Sequence, residues 1–257
     1  MFQTWLTALE ARHLANLTFA EVTRALRALS ATYVERRERL ARKAAFDSAG
    51  KRAAYALYYS PLHFLTVNQI AEALQLNAQP VRHILDLGCG AGAAGAAWAV
   101  QHSSHPSITG IDAHPWALGE ATFTYRAFGL RAETSRADVT RMRMPRSVDA
   151  IVAGWMVNEL DDTRRALVHA QLLRMATAGT QILILEPIAT RVVPWWSEWV
   201  RDFTPVGGRS DEWRFRIELP HLLTRLDRAA GLRHDELTAR SIFVPQGQTP
   251  RMQVQNQ

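Results

Sequence analysis

The chain has 257 residues, 47% of them hydrophobic and 21% charged, with a formal net charge of +6. That composition excludes a largely disordered chain, and the length allows one large domain or a core with a small appendage. Cys89 is the only cysteine, so intramolecular disulfides and cysteine-built metal sites are excluded.

No apolar run approaches the roughly 18 residues of a membrane span. Residues 1–14 carry Glu10 and lack a basic stretch ahead of an apolar one, unlike a secretory signal. A cytoplasmic protein with no membrane partner and no metal is the expectation. All but two of the 30 basic residues are arginine, the exceptions being Lys43 and Lys51. Residues 1–80 carry ten basic and six acidic residues, so most of the excess charge lies in the first third. Arg24, Arg27, Arg36, Arg37, Arg39, Arg42, Lys43, Lys51 and Arg52 are its main members. They form either a solvated helix face or a surface that contacts phosphates, as RNA would offer.

In chain order, residues 1–76 read as helical. Thr18 and Glu21 make a capping box, and Val22, Leu26, Leu29 and Tyr33 then recur at helical spacing. A second helical stretch covers about 51–59 and is expected to stop at Pro61. A third runs from Val67 to Leu76, and Asn77 to Pro80 break the pattern. From Val81 onward, short apolar runs alternate with helical segments. The expected strands are His83–Leu87, Ile108–Asp112, Arg131–Ala137, Val148–Gly154 and Gln181–Glu186, and the expected helices between them cover 92–101, 116–128 and 163–176. This alternation predicts an α/β fold with a doubly wound, mostly parallel, Rossmann-like sheet. A helix at about 219–230 follows. The runs Leu232–Val244 and Arg251–Gln257 are expected to pair as an antiparallel hairpin. The domain division is a helical N-terminal domain over 1–80, covering the cleft, and a core over 81–257. Removing residues 1–50 is accordingly expected to leave a soluble core.

The segment from His83 to Gly95 runs from a strand through a glycine loop into a helix. Gly90-x-Gly92-x-x-Gly95 fits a dinucleotide fingerprint, in which a pyrophosphate rests on the helix N-terminus. Asp86-x-Gly88-x-Gly90-x-Gly92 fits the loop that binds S-adenosylmethionine (SAM). Asp86 decides in favour of SAM, because a carboxylate there opposes a pyrophosphate and suits a cofactor bearing an ammonium and a sulfonium. The glycines then serve close backbone approach.

On these residues, 80–257 resembles the class I SAM-dependent methyltransferases. The resemblance implies that Asp86, Gly88, Gly90 and Gly92 form the cofactor loop and that Asp112, closing the second strand, accepts the ribose hydroxyls. It also places Asp138 by the adenine amino group, and Val139 supplies a backbone N–H to the ring. Asp112 and Asp138 also have local readings, as a helix cap and a turn residue. After the fourth strand, Trp155, Asn158 and Glu159 occupy the place where the acceptor meets the methyl group. Glu159 is the candidate base and Asn158 the candidate amide anchor, although either can instead cap the next helix.

A cytosine-C5 mechanism is disfavoured, since the single thiol sits inside the glycine loop. The amino-methyltransferase motif Asn/Asp-Pro-Pro-Tyr/Phe is absent after the fourth strand. Trp195, Trp196, Trp199 and Trp213 either stack a flat acceptor or fill an apolar helix face. The string from Ala54 through Tyr59 to Pro61, together with Asn158-Glu159-Leu160 and Leu185-Glu186-Pro187, resembles the methyltransferase-like assembly proteins of the mitochondrial small ribosomal subunit and their bacterial relatives. Their iron–sulfur cysteines are missing here, so no metal is implied. The N-terminal domain is expected to close over the cleft, with Tyr59 on the cofactor and Tyr58 and His63 close by. The expected function is SAM-dependent methyl transfer, with ribosomal or other RNA slightly favoured as acceptor. The alternatives are a small aromatic or amine-bearing metabolite, and a protein that binds or consumes SAM without methylating.

Overall fold

A computed structural model describes residues 1–35, 46–145, 147–232, 234 and 236–247. The N-terminal region begins with α1 (Phe2–His13) and α2 (Phe19–Glu35). The capping box that starts α2 closes as expected. Thr18 N–H donates to Glu21 Oε2 at 2.7 Å, and Glu21 N–H donates to Thr18 Oγ1 at 3.3 Å. Val22, Leu26 and Leu29 are buried at helical spacing, while the Tyr33 side chain lies outside the described residues.

Pro61 does not stop the next helix. Helix α3 (Ala49–Ala54) continues through a π-helical turn, Tyr55–Tyr59, directly into α4 (Ser60–Ala73). Ser60 N–H reaches back five residues to the Tyr55 carbonyl. The wider turn relieves the clash a proline ring makes with the carbonyl four residues earlier. The stretch expected to start at Val67 is the second half of α4.

Strands β1 (His83–Leu87), β2 (Ser107–Asp112), β3 (Ala132–Arg136), β4 (Ala150–Gly154) and β5 (Gln181–Glu186) fall on the expected runs. Between them lie α5 (Ala93–Ala99), α6 (Pro115–Ala127) and α7 (Asp162–Thr177), the last capped by the Asp161 carboxylate on Arg164 N–H at 2.8 Å. The chain continues with α8 (Trp196–Phe203), β6 (Arg209–Phe215), α9 (His221–Ala230) and β7 (Leu237–Val244). The sheet order is β3-β2-β1-β4-β5-β7-β6; β1 to β5 are parallel, and β7 runs antiparallel to both β5 and β6. The partner of β7 on the side away from β5 is therefore β6, a half-exposed strand that alternates Trp213 and Phe215 with Glu212 and Arg214. Arg251–Gln257 lies outside the described residues.

Period-two alternation divides each strand between two cores. Ile84, Val152, Leu183 and Leu185 face a core shared with α1, α2, α4, α5, α6 and α9. Leu85, Leu87, Ile151, Ala153, Ile182 and Ile184 face α7 and α8. Trp195, Trp196 and Trp199 belong to this second core and are each at most 7% exposed. They fill an apolar helix face and do not stack an acceptor. Trp213 packs flat on Phe215 and donates to Ser241 Oγ at 2.8 Å.

The N-terminal helices are not a removable cover. Trp5 is fully buried, its ring 5.5 Å from Phe64 and 5.3 Å from Phe128. Arg12 and His13 of α1 grip the buried Glu120 of α6 at 3.1 and 3.0 Å. Burial pushes the Glu120 carboxyl up, but His13 and Arg12 outweigh it and hold the carboxyl below its ordinary value. On the other flank Tyr58 O–H donates to Asp227 Oδ1, and His234 Nδ1 lies 2.7 Å from both partners. Deleting residues 1–50 would strip this core and remove both partners of Glu120. Trp5→Ala should lower the unfolding free energy by about 3–5 kcal/mol, measured by urea denaturation. A loss below about 1 kcal/mol would show that α1 is peripheral.

Candidate active site

The strand order reverses between β1 and β4, where crossovers leave for opposite faces and open a crevice at the strands' carboxyl ends. Two loops stand there: Gly88–Gly92 after β1, and Trp155–Glu159 after β4. Gly88, Gly90 and Gly92 have φ of 61°, 53° and 79°, a region that side chains rarely tolerate. That conformation requires glycine at every second position of the loop.

Asp86 lies under this loop, 1% exposed. Its Oδ2 accepts the Gly95 N–H at 2.9 Å and the Tyr125 hydroxyl at 2.8 Å. Burial and the Asp86 charge push the Tyr125 phenol well above its ordinary value, so it stays a donor. A Cβ on Gly95 would stand 2.5 Å from Asp86 Oδ2, and this internal contact accounts for the third glycine of the apparent dinucleotide fingerprint. Asp86 is therefore committed within the fold and does not face the crevice as the charge argument expected. The α5 amide that a pyrophosphate would need is already bonded to a carboxylate. Nothing in the sequence links Tyr125 to Asp86, because the two are 39 positions apart and meet only through the fold.

Asp112 closes β2, fully buried, with Oδ2 on Gly90 N–H and Oδ1 on His114 N–H, both at 2.9 Å. It therefore anchors the glycine loop to β2. Asp138 makes the local turn: Oδ1 takes the Thr140 hydroxyl at 2.6 Å and the Thr140 N–H at 2.9 Å, which lower its pKa. Its Oδ2 stands apart, 3.9 Å from Arg141 Nε. Next to it, the Val139 N–H has no acceptor among the described residues. A free donor beside a carboxylate acceptor matches the ring nitrogen and amino group of adenine, so these residues fit the adenosyl moiety of SAM.

Trp155 adopts φ 52°, unusual for a bulky residue, and is held there by its N–H on the Leu185 carbonyl at 2.7 Å. Its ring stacks on His63 of α4 at 3.9 Å and 6°. Tyr55 and Tyr59 stand 6.3 and 6.4 Å from His63, and the Tyr55 hydroxyl reaches over Gly90, 2.7 Å from where a Cβ would be. The π-turn thus brings Tyr55, Tyr59 and His63 to one side and Tyr58 to the other, where it bonds Asp227.

Glu186 was legible only within a short motif, although a carboxylate closing the apolar strand β5 is the same signal as Asp112 closing β2. It is fully buried, and its Oε1 accepts Val157 N–H at 2.9 Å and Asn158 N–H at 3.1 Å. Burial, aided by the Glu159 charge, raises its pKa to about 8 against the pull of these N–H bonds. Asn158 is thereby tied to Glu186 through its backbone N–H, and its side chain also bonds Glu186. Glu159 closes the same short turn, its N–H on the Met156 carbonyl at 3.3 Å.

Residues 84–179 match the family model described as a methyltransferase domain. No curated protein matches the chain. Among solved structures, the mitomycin 7-O-methyltransferase MmcR is 15% identical over 94% of this chain and 72% of its own, with a TM-score of 0.51. The N-methyltransferase NodS from Bradyrhizobium japonicum WM9 is 16% identical over 72% of this chain and 97% of its own, with a TM-score of 0.50. At such identities these structures establish the fold. Fold and loop geometry define a doubly wound α/β protein, and residues 84–179 carry a methyltransferase domain whose glycine loop fits SAM as cofactor.

Glu186 makes a pH signature. Its folded pKa of about 8 lies above the ordinary 4.5, so between those values the folded chain keeps a proton the unfolded chain has lost. Its contribution to stability is complete below about pH 4.5 and declines as pH rises through 8. Glu186→Gln retains an oxygen for both N–H groups and removes that decline. The variant should gain stability over wild type at pH 8.5 relative to pH 5 in paired urea titrations. An identical pH dependence in both proteins would contradict the assignment.

Proposed function

We propose that this methyltransferase acts on a small aromatic acceptor held between the N-terminal helices and the loop after β4. The observation that carries the reading is the aromatic cluster of Tyr55, Tyr59, His63 and Trp155 at the carboxyl ends of the strands. Flat rings at that place offer a planar compound stacking surface, and the helical domain over 1–80 acts as its cover. The mitomycin enzyme, whose name identifies a small-molecule methyltransferase, supports the reading through a shared fold over most of the chain.

The RNA reading rests on the N-terminal arginines and the likeness to ribosomal assembly proteins. Arg36, Arg37, Arg39, Arg42 and Lys43 lie outside the described residues. Of the others, Arg27 donates to the Ala229 carbonyl, Arg52 to the Phe46 carbonyl at 2.7 Å, and Lys51 pairs with Asp47 at 3.0 Å. These three are engaged within the fold and Arg24 acts on Glu21 of its own helix, so RNA is not proposed as the acceptor.

In the bound state SAM supplies an activated methyl group. The chain contributes the rest: the glycine loop, Asp112, Asp138 and Val139 fix the adenosyl group, and the loop held by Glu186 presents Trp155 to the acceptor. Alignment and exclusion of water are the protein's main tasks in such a displacement. Purified protein with radiolabelled SAM should label members of a panel of phenols and aromatic amines and leave total RNA unlabelled. Labelling of RNA alone would overturn the small-molecule reading.

A further inference from the structure

His63 stands between the π-turn and the loop after β4. It is partly buried, and its interactions among the described residues are ring contacts with Tyr55, Tyr59 and Trp155. No hydrogen bond or ion pair engages its nitrogens there. By contrast His13 holds Glu120, His83 Nε2 lies 2.8 Å from Thr109 Oγ1, and His234 holds Asp227. A polar ring placed among aromatic faces, with its nitrogens uncommitted, has a hydrogen-bond capacity that the fold does not use.

We propose that His63 is the polar anchor of the acceptor subsite and that its neutral ring selects a flat aromatic compound bearing a hydroxyl group. This rests on the small-molecule methyltransferase reading and names its substrate class. The stack on Trp155 fixes the plane of the imidazole at the loop after β4, so a planar acceptor lying along these rings can meet a ring nitrogen with its O–H. The groups facing His63 are the phenols of Tyr55 and Tyr59 from its own helical segment and the indole of Trp155 from the end of β4. No carboxylate among the described residues bonds to it, so nothing there favours an imidazolium. Burial holds its pKa down at about 3, and the ring stays neutral across the physiological range. Such a ring is a weak base and a good hydrogen-bond acceptor; its role is to orient the hydroxyl, not to carry away the proton.

The experiment uses the full chain loaded with S-adenosylhomocysteine, and calorimetry with 2-naphthol and naphthalene as probes. Wild type should prefer 2-naphthol by roughly three- to tenfold, the worth of one neutral hydrogen bond. That preference should not change between pH 5.5 and 8. His63→Phe keeps a ring to stack on Trp155 and removes the nitrogens. It should bind S-adenosylhomocysteine within twofold of wild type, which also shows that it is folded, and bind both probes equally. A preference that survives in His63→Phe overturns the proposal. So does a wild-type protein that loads the nucleoside but binds neither probe, or binds them equally, or loses the preference through pH 6.5. Failure to load S-adenosylhomocysteine would instead overturn the underlying methyltransferase reading.

Discussion

The crevice depends on one buried carboxylate. Asp86 sits below the glycine loop, where desolvation makes an unpaired charge expensive, and it is satisfied by Gly95 N–H and the Tyr125 hydroxyl. The first bond fixes the start of α5 against β1; the second draws α6 in from across the sheet. Asp112 repeats the device one strand over by holding Gly90 and His114. Two strand-ending carboxylates thus shape a loop in which every second residue has positive φ. Glu186 does the same for the loop after β4, with burial holding its proton. Three acids at three strand ends define the floor of the site.

The roof comes from the N-terminal helices, and its chemistry follows from Pro61. A proline at that position forces a π-turn, which changes the angular spacing of Tyr55, Tyr58, Tyr59 and His63. Tyr58 turns to the Asp227–His234 pair and locks the helix down, while Tyr55 and His63 reach the glycine loop and Trp155. Packing of the helices and placement of the aromatic cluster are therefore one feature. The same helices share a single core with the sheet through Trp5, Phe64 and Phe128.

Much of this was legible in the sequence. Strands β1, β2, β4 and β5 announce themselves through apolar residues because they are largely buried on both faces. Strand β3, Ala-Glu-Thr-Ser-Arg, is mostly exposed and is legible from its place in the alternation. The glycine loop and Asp112 were readable because backbone conformation and strand-end position constrain residue type directly. The misreadings have physical causes. Strand β6 carries a short period-two signal, Trp213 and Phe215 between Glu212, Arg214 and Arg216, but its polar face and half-exposure set it apart from the apolar runs of the buried strands. Pro61 looks like a helix stop because local rules do not anticipate a π-turn. The tryptophans after β5 could equally line a cleft or fill a core, and only the packing of α8 against Val168, Leu172 and Phe203 decides for the core. The Asp86–Tyr125 contact is purely tertiary. Arg36, Arg37, Arg39, Arg42 and Lys43 lie outside the described residues.

The central claim is that Asp86, by taking the Gly95 amide, makes the loop a site for a nucleoside without phosphates. A crystal structure of the protein grown with both S-adenosylhomocysteine and NAD tests it most directly. The account predicts S-adenosylhomocysteine in the crevice, its adenine on Val139 N–H and Asp138, its ribose at Asp112 and its sulfur toward Trp155 and His63. A dinucleotide with its pyrophosphate on the Gly95 amide, and Asp86 displaced from it, would contradict the account.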